Sequence, residues 1–213
     1  MELKGKTIAI LGDSLTTGHG ASCDSKKYPQ MLKERCGIKE ILNYGEGGTR
    51  IAAPVDIERD NIRERCFAYR VDEMDENADL VLVFGGTNDY GWEVTPLGTF
   101  SDRDETTFFG ALHVIMEKLS KKYVGKRIVL MTPTHRLREV REEDDVRDFR
   151  DYVYAMKEVC EFYGIPVCDI YGTSGLQPNI PENKAMFFVD GLHPNDAGYE
   201  RIVDCLVNFL ERL

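Results

Sequence analysis

Apolar residues recur along this chain in two alternating patterns. Five short runs rich in Ile, Val and Leu stand out at 7–11, 40–44, 80–84, 127–131 and 166–170. Most are near-continuous rather than alternating, as expected of strands buried on both faces of a parallel sheet. Between them the spacing turns helical. Phe108, Leu112, Ile115 and Leu119 share a stripe that Phe109 and Met116 widen, and Lys118, Lys121 and Lys122 fall in its last turn, where they complement the helix dipole. His113 lies beside that stripe and is expected at the surface or half-buried. Val146, Phe149, Val153, Met156, Cys160 and Tyr163 form a second stripe that Gly164 stops, with Pro166 following. Tyr199, Ile202, Val203, Leu206, Phe209, Leu210 and Leu213 form a third, with Asn195 or Asp196 as its cap. Residues 56–74 are read as helical too. Strands alternating with helices predict a three-layer α/β/α domain around a parallel sheet, spanning residues 1–213 as one domain. In such sheets ligands bind beyond the carboxyl ends of the strands.

Composition narrows the partners. The 213 residues suffice for one substantial core. The net charge of −10 opposes binding to nucleic acid or an anionic membrane surface, and the densest basic run, 135–141, is followed at once by Glu142, Glu143, Asp144 and Asp145. No run approaches the roughly 18 apolar residues of a membrane span. The start, Met1 to Lys6, leads directly into a strand without the apolar stretch of a secretory signal, which points to the cytoplasm. The six cysteines form no CxxC pair, so reduced, mostly buried thiols are expected rather than a metal cluster.

Residues with chemical potential cluster just after the strands. The first strand ends in Leu11-Gly12-Asp13-Ser14-Leu15. A serine there reads either as a helix N-cap or as a nucleophile, and the latter needs a base within reach. Near the other end, Asp190-Gly191-Leu192-His193-Pro194 places an aspartate and a histidine three apart on a turn, where the carboxylate could hold one ring nitrogen and leave the other for Ser14. Taken alone, this pair reads equally as an exposed Asp beside a capping His. The second strand leads into Asn43-Tyr44-Gly45-Glu46-Gly47-Gly48-Thr49, and the third into Gly85-Gly86-Thr87-Asn88-Asp89. Glycines there let backbone N–H groups turn toward an anion, and Asn88 can add a side-chain amide. Acyl transfer needs such donors for the developing oxyanion. Ordinary Gly and Asn turns are the bland reading of the same residues.

Each signal is weak alone; their joint order is strong. From Gly12-Asp13-Ser14 to Asp190…His193 the chain resembles the SGNH-hydrolase superfamily, the GDSL-type lipases and esterases. The resemblance implies a flavodoxin-like sheet of five parallel strands with no metal and no organic cofactor. It implies Ser14 as nucleophile, His193 as base and Asp190 as its orienting carboxylate. Ser14 N–H, Gly48 N–H and the Asn88 side chain would form the oxyanion hole, Gly48 being chosen over Gly47 by the family's spacing from Asn43. The G-x-S-x-G elbow, the phosphate-binding P-loop, G-x-G-x-x-G and HExxH are all absent from the sequence.

Other residues carry smaller expectations. His19 is read as a loop residue rather than a catalyst. His135, after the fourth strand, could touch substrate, as could Tyr90 and Trp92 directly after Asn88. Residues 91–104 show no clear period and read as a loop over the site. The expected substrate is a small, short-acyl ester. A carbohydrate O-deacetylase or a lysophospholipase-like acylhydrolase are the alternatives, and a non-catalytic binding module is a more distant one.

Overall fold

The computed structural model describes residues 1–53, 65–91, 95–140 and 148–213. Five strands, β1 (Thr7–Gly12), β2 (Glu40–Gly45), β3 (Leu80–Phe84), β4 (Arg127–Met131) and β5 (Val167–Cys168), form one sheet in the order β2-β1-β3-β4-β5. Every pairing is parallel, with Thr7 opposite Glu40, Ile8 opposite Leu80 and Leu80 opposite Arg127. The last strand is shorter than its apolar run, because Asp169 caps a new helix, α7 (Ile170–Thr173), by accepting from Gly172 N.

Successive strand residues point to opposite faces, and each face has its own core. Ala9, Leu11, Val81, Val83, Ile128 and Leu130 meet α3 (Phe67–Arg70), α5 (Phe108–Lys122) and α6 (Phe149–Tyr163). Ile8, Ile10, Leu80, Leu82, Val129 and Met131 meet α2 (Tyr28–Cys36) and α9 (Asp196–Glu211). Right-handed crossovers explain the split: the chain steps from β1 outward to β2 in one direction and from β3 through β4 to β5 in the other, which puts the connecting helices on opposite faces. The reversal falls between β1 and β3, the switch point where such sheets open a crevice.

The stripes produce α5, α6 and α9, but local capping sets their ends. Asn195 caps α9 by accepting from Gly198 N, Gly164 ends α6 in the left-handed conformation, and Asp148 and Asp151 form a capping box at the start of α6. Val146, read as part of the α6 stripe, lies outside the described residues. So do residues 56–64 of the helix expected over 56–74; its described part forms α3 and a 3-10 turn, Val71–Glu73.

His113 is a correction. It is fully buried, not at the surface, because Nε2 lies 3.0 Å from the Phe100 carbonyl and Nδ1 3.2 Å from the Tyr163 hydroxyl. Burial holds its pKa below the usual histidine range. Of the loop expected over 91–104, residues 92–94 lie outside the described residues. Residues 95–104 pack on the α5–α6 side: Phe108 N donates to Pro96 O, Tyr152 OH to Thr95 O, and Phe100 stacks edge-on against Phe109 and Phe162.

Candidate active site

The chain turns abruptly from β1 into a single helical turn, α1 (Ser14–Thr17). A Cβ on Gly12 would sit 1.9 Å from Thr16 Oγ1, so only glycine allows this close return. The cap of α1 is Asp13, whose Oδ1 accepts from Leu15 N at 2.9 Å. Ser14 is thereby released from capping. Its side chain, in a residue only 9% exposed, lies with Oγ 3.0 Å from His193 Nε2.

His193 sits on a turn clipped at its base by an antiparallel bridge between Phe188 and Pro194, with Val189 N donating to His193 O. Asp190 accepts three hydrogen bonds within this turn: from Leu192 N at 2.9 Å, from His193 N at 2.7 Å and from His193 Nδ1 at 2.7 Å. Partial burial pushes the Asp190 carboxyl up, but these hydrogen bonds outweigh it and hold the group below the usual carboxylate range. A carboxylate accepting at Nδ1 fixes the ring proton there and leaves the Nε2 lone pair facing Ser14. Leu137 N donates to Gly191 O, tying this turn to the segment after β4.

The glycine loop after β2 is pinned from several sides. Glu46 N donates to Gly12 O, and Thr49 Oγ1 donates to Glu46 O at 2.7 Å. Between them Gly48 takes a left-handed φ of +75°. Asn88, in the short helix α4 (Thr87–Gly91) after β3, donates from Nδ2 to Thr49 O at 2.9 Å, which orients its amide beside this loop. Asp89 accepts from Ile51 N and Ala52 N, both at 2.9 Å, and clamps the following residues to α4.

Two contributors are not evident in the sequence. Arg70, almost fully buried, donates from Nη2 to Gly12 O and Thr49 Oγ1, from Nη1 to Tyr44 O and from Nε to Arg65 O. It joins the ends of β1 and β2 to the glycine loop. His19 returns from α1 so that its ring lies 4.2 Å from that of His193, centroid to centroid. Arg70 stood among many charges in a segment read as helical, and His19 in a glycine-flanked loop, so neither carried a local signal. Arg70→Met would remove these donors from a buried place, leaving Gly12 O only the bond from Glu46 N. It is expected to cost about 2–4 kcal/mol in a urea titration and to lower kcat more than it changes KM.

The smaller expectations divide. Tyr90 is buried in the core against Phe149 and Tyr152, its hydroxyl donating to Arg138 O at 2.8 Å. It therefore shapes the segment after β4 from beneath. His135 stacks on Tyr171 at 3.7 Å and holds Glu139 through Nδ1 at 2.9 Å. Trp92 lies outside the described residues. A cavity of about 440 Å³ opens at the amino edge of the sheet, lined by Tyr123, Arg127 and Tyr163 among others, and shares no residue with the candidate site.

Asp13 carries an electrostatic signature. Burial pushes its carboxyl up to about 7, aided by nearby Asp89 and opposed by Leu15 N–H and Arg70, and its Oδ2 is buried with no hydrogen-bond partner among the described residues. The fold thus favours the neutral form, whereas the unfolded chain ionises near 3.8. Stability from this group is full below that value and is lost as pH rises toward 7. Asp13→Asn keeps the cap and removes the loss. Its Tm advantage over the parent is expected to grow from about pH 4 to neutrality; a difference flat across that window would contradict the account.

A five-stranded parallel sheet of this order, with serine, histidine and aspartate joined beyond its carboxyl edge, defines the class of SGNH hydrolases. The chain belongs to the GDSL-like lipase/acylhydrolase family, whose model matches residues 10–201. That is a family of ester-bond hydrolases. A Lactobacillus plantarum protein of known structure is 30% identical, with a TM-score of 0.85 over 98% of each chain. A Bacteroides ovatus protein described as a GDSL-like lipase shares the fold at 17% identity and a TM-score of 0.74, over 99% of this chain and 100% of that one. The lipase/acylhydrolase of Enterococcus faecalis shares it at 20% and 0.65, over 95% and 94%. No curated protein sequence matches the chain. No described helix is long and apolar enough to cross a membrane.

Proposed function

We propose that the protein hydrolyses small, short-acyl carboxylic esters through an acyl-enzyme on Ser14. The observation that carries this reading is the unbroken chain from Ser14 Oγ to His193 Nε2 at 3.0 Å and from His193 Nδ1 to Asp190 at 2.7 Å. Ser14 attacks the ester carbonyl while His193 Nε2 takes its proton, and Asp190 stabilises the imidazolium. The oxyanion is received by the N–H groups of Ser14 and Gly48, which have no backbone acceptor among the described residues, and by the Asn88 amide anchored on Thr49. His193 then protonates the departing alcohol. It next activates water, which releases the acid and restores Ser14.

The test is a series of p-nitrophenyl esters from acetate to laurate, with acetylated oligosaccharides in parallel. A fluorophosphonate probe followed by peptide mass spectrometry locates the nucleophile. The expected result is a Ser14 adduct and rates that fall with chain length. Absence of the adduct would sink the mechanism; preference for laurate or for the oligosaccharides would replace the substrate class.

A further inference from the structure

We propose that the rim of this site binds a divalent transition-metal ion, zinc fitting best, through His19, Asp190 and His193, and that the bound ion switches the hydrolase off. One ligand atom from each of the three residues lies within 4.8 Å of the other two. His19 and Asp190 are exposed and His193 is half-buried, so an ion reaches them from solvent. Two imidazoles and one carboxylate are a ligand set suited to zinc and poorly suited to magnesium or calcium. Three protein ligands leave a fourth position for water.

His19 must draw in on the other two, and where zinc takes Nδ1 the 2.7 Å hydrogen bond between His193 Nδ1 and Asp190 must open slightly. Around tetrahedral zinc, with bonds of about 2.0–2.2 Å, neighbouring ligand atoms lie roughly 3.3 Å apart. His19 is the residue that can close the gap. Its backbone is anchored by His19 N to Ser14 O, while its side chain is exposed between Gly18 and Gly20, both in left-handed conformations.

The consequence for the reaction rests on the reading of His193 as base. If zinc takes Nε2, it occupies the lone pair that faces Ser14. If it takes Nδ1, the ring proton moves to Nε2, which then donates toward Ser14 and no longer accepts. Both routes leave Ser14 without a base, and no other atom changes hands.

Isothermal titration of the chelator-stripped protein with zinc chloride tests the site independently of activity. The expected result is one zinc per chain, binding at least tenfold weaker in His19→Ala and in His19→Gln, and no heat with magnesium. Equal affinity in both His19 variants would overturn the site, as would binding lost on Cys23→Ser, since that thiol is exposed. The switch is read as the rate of fluorophosphonate labelling with and without zinc, each variant against its own metal-free rate. Labelling is expected to slow at least tenfold in the parent, to recover with EDTA and to stay unchanged in His19→Ala. Zinc that binds without slowing the parent would overturn the inhibition. A parent that never labels would fail the esterase reading instead, while the titration still decides the site.

Discussion

Ser14→Ala is expected to lower turnover of p-nitrophenyl acetate by about four to six orders of magnitude while leaving the fold intact. The change removes one oxygen whose hydrogen-bond partner in the structure is His193 Nε2 at 3.0 Å. The helix start survives because its cap is the Asp13 side chain. The Tm should therefore move by no more than a degree or two. Removing the proposed base strands the same hydroxyl, so His193→Ala should cost about as much, and the double variant little more than either alone if the two groups act as one unit. The measurements are single-turnover rates and thermal melts on the three variants. A Ser14→Ala enzyme that retains a tenth of the parental rate would exclude Ser14 as nucleophile.

Asp190→Asn should cost about three to four orders of magnitude in kcat, for a different reason. An asparagine oxygen still accepts from Leu192 N and His193 N, so the turn keeps its shape. Its amide, however, presents a donor to Nδ1. The ring proton is then driven to Nε2, and the nitrogen facing Ser14 becomes a donor. The loss should appear in kcat with KM and Tm nearly unchanged. An equal loss in Asp190→Ala and a large fall in Tm for both would instead mean that the carboxylate only holds the turn.

Much of this was legible beforehand because it is written with short periods. Continuous apolar runs give the strands, 3.6-residue stripes give α5, α6 and α9, and Gly164 and Asn195 mark ends that depend on neighbouring residues alone. Where the reading failed, the deciding partner came from elsewhere in the chain. His113 looks peripheral on its helix, and becomes core because Phe100 and Tyr163 close over it. Residues 95–104 have no period of their own and take their place from α5 and α6.

The candidate site divides in the same way. The sequence by itself determined which side chains are available and that each follows a strand or stands on the last turn: Ser14, Gly48, Asn88, Asp190 and His193. It offered the Asp190–His193 pairing, three apart on one turn, but left open an exposed Asp beside a capping His until the structure joined them. It did not determine whether Ser14 caps a helix or faces a base, because a hydroxyl serves either purpose. The tertiary structure decided that by giving the cap to Asp13 and bringing His193 to Ser14 across 179 positions. It also buried Arg70 beneath the glycine loop and laid His19 against His193. Contacts of that range depend on strand order and on which faces the crossovers cover, and no local period records either.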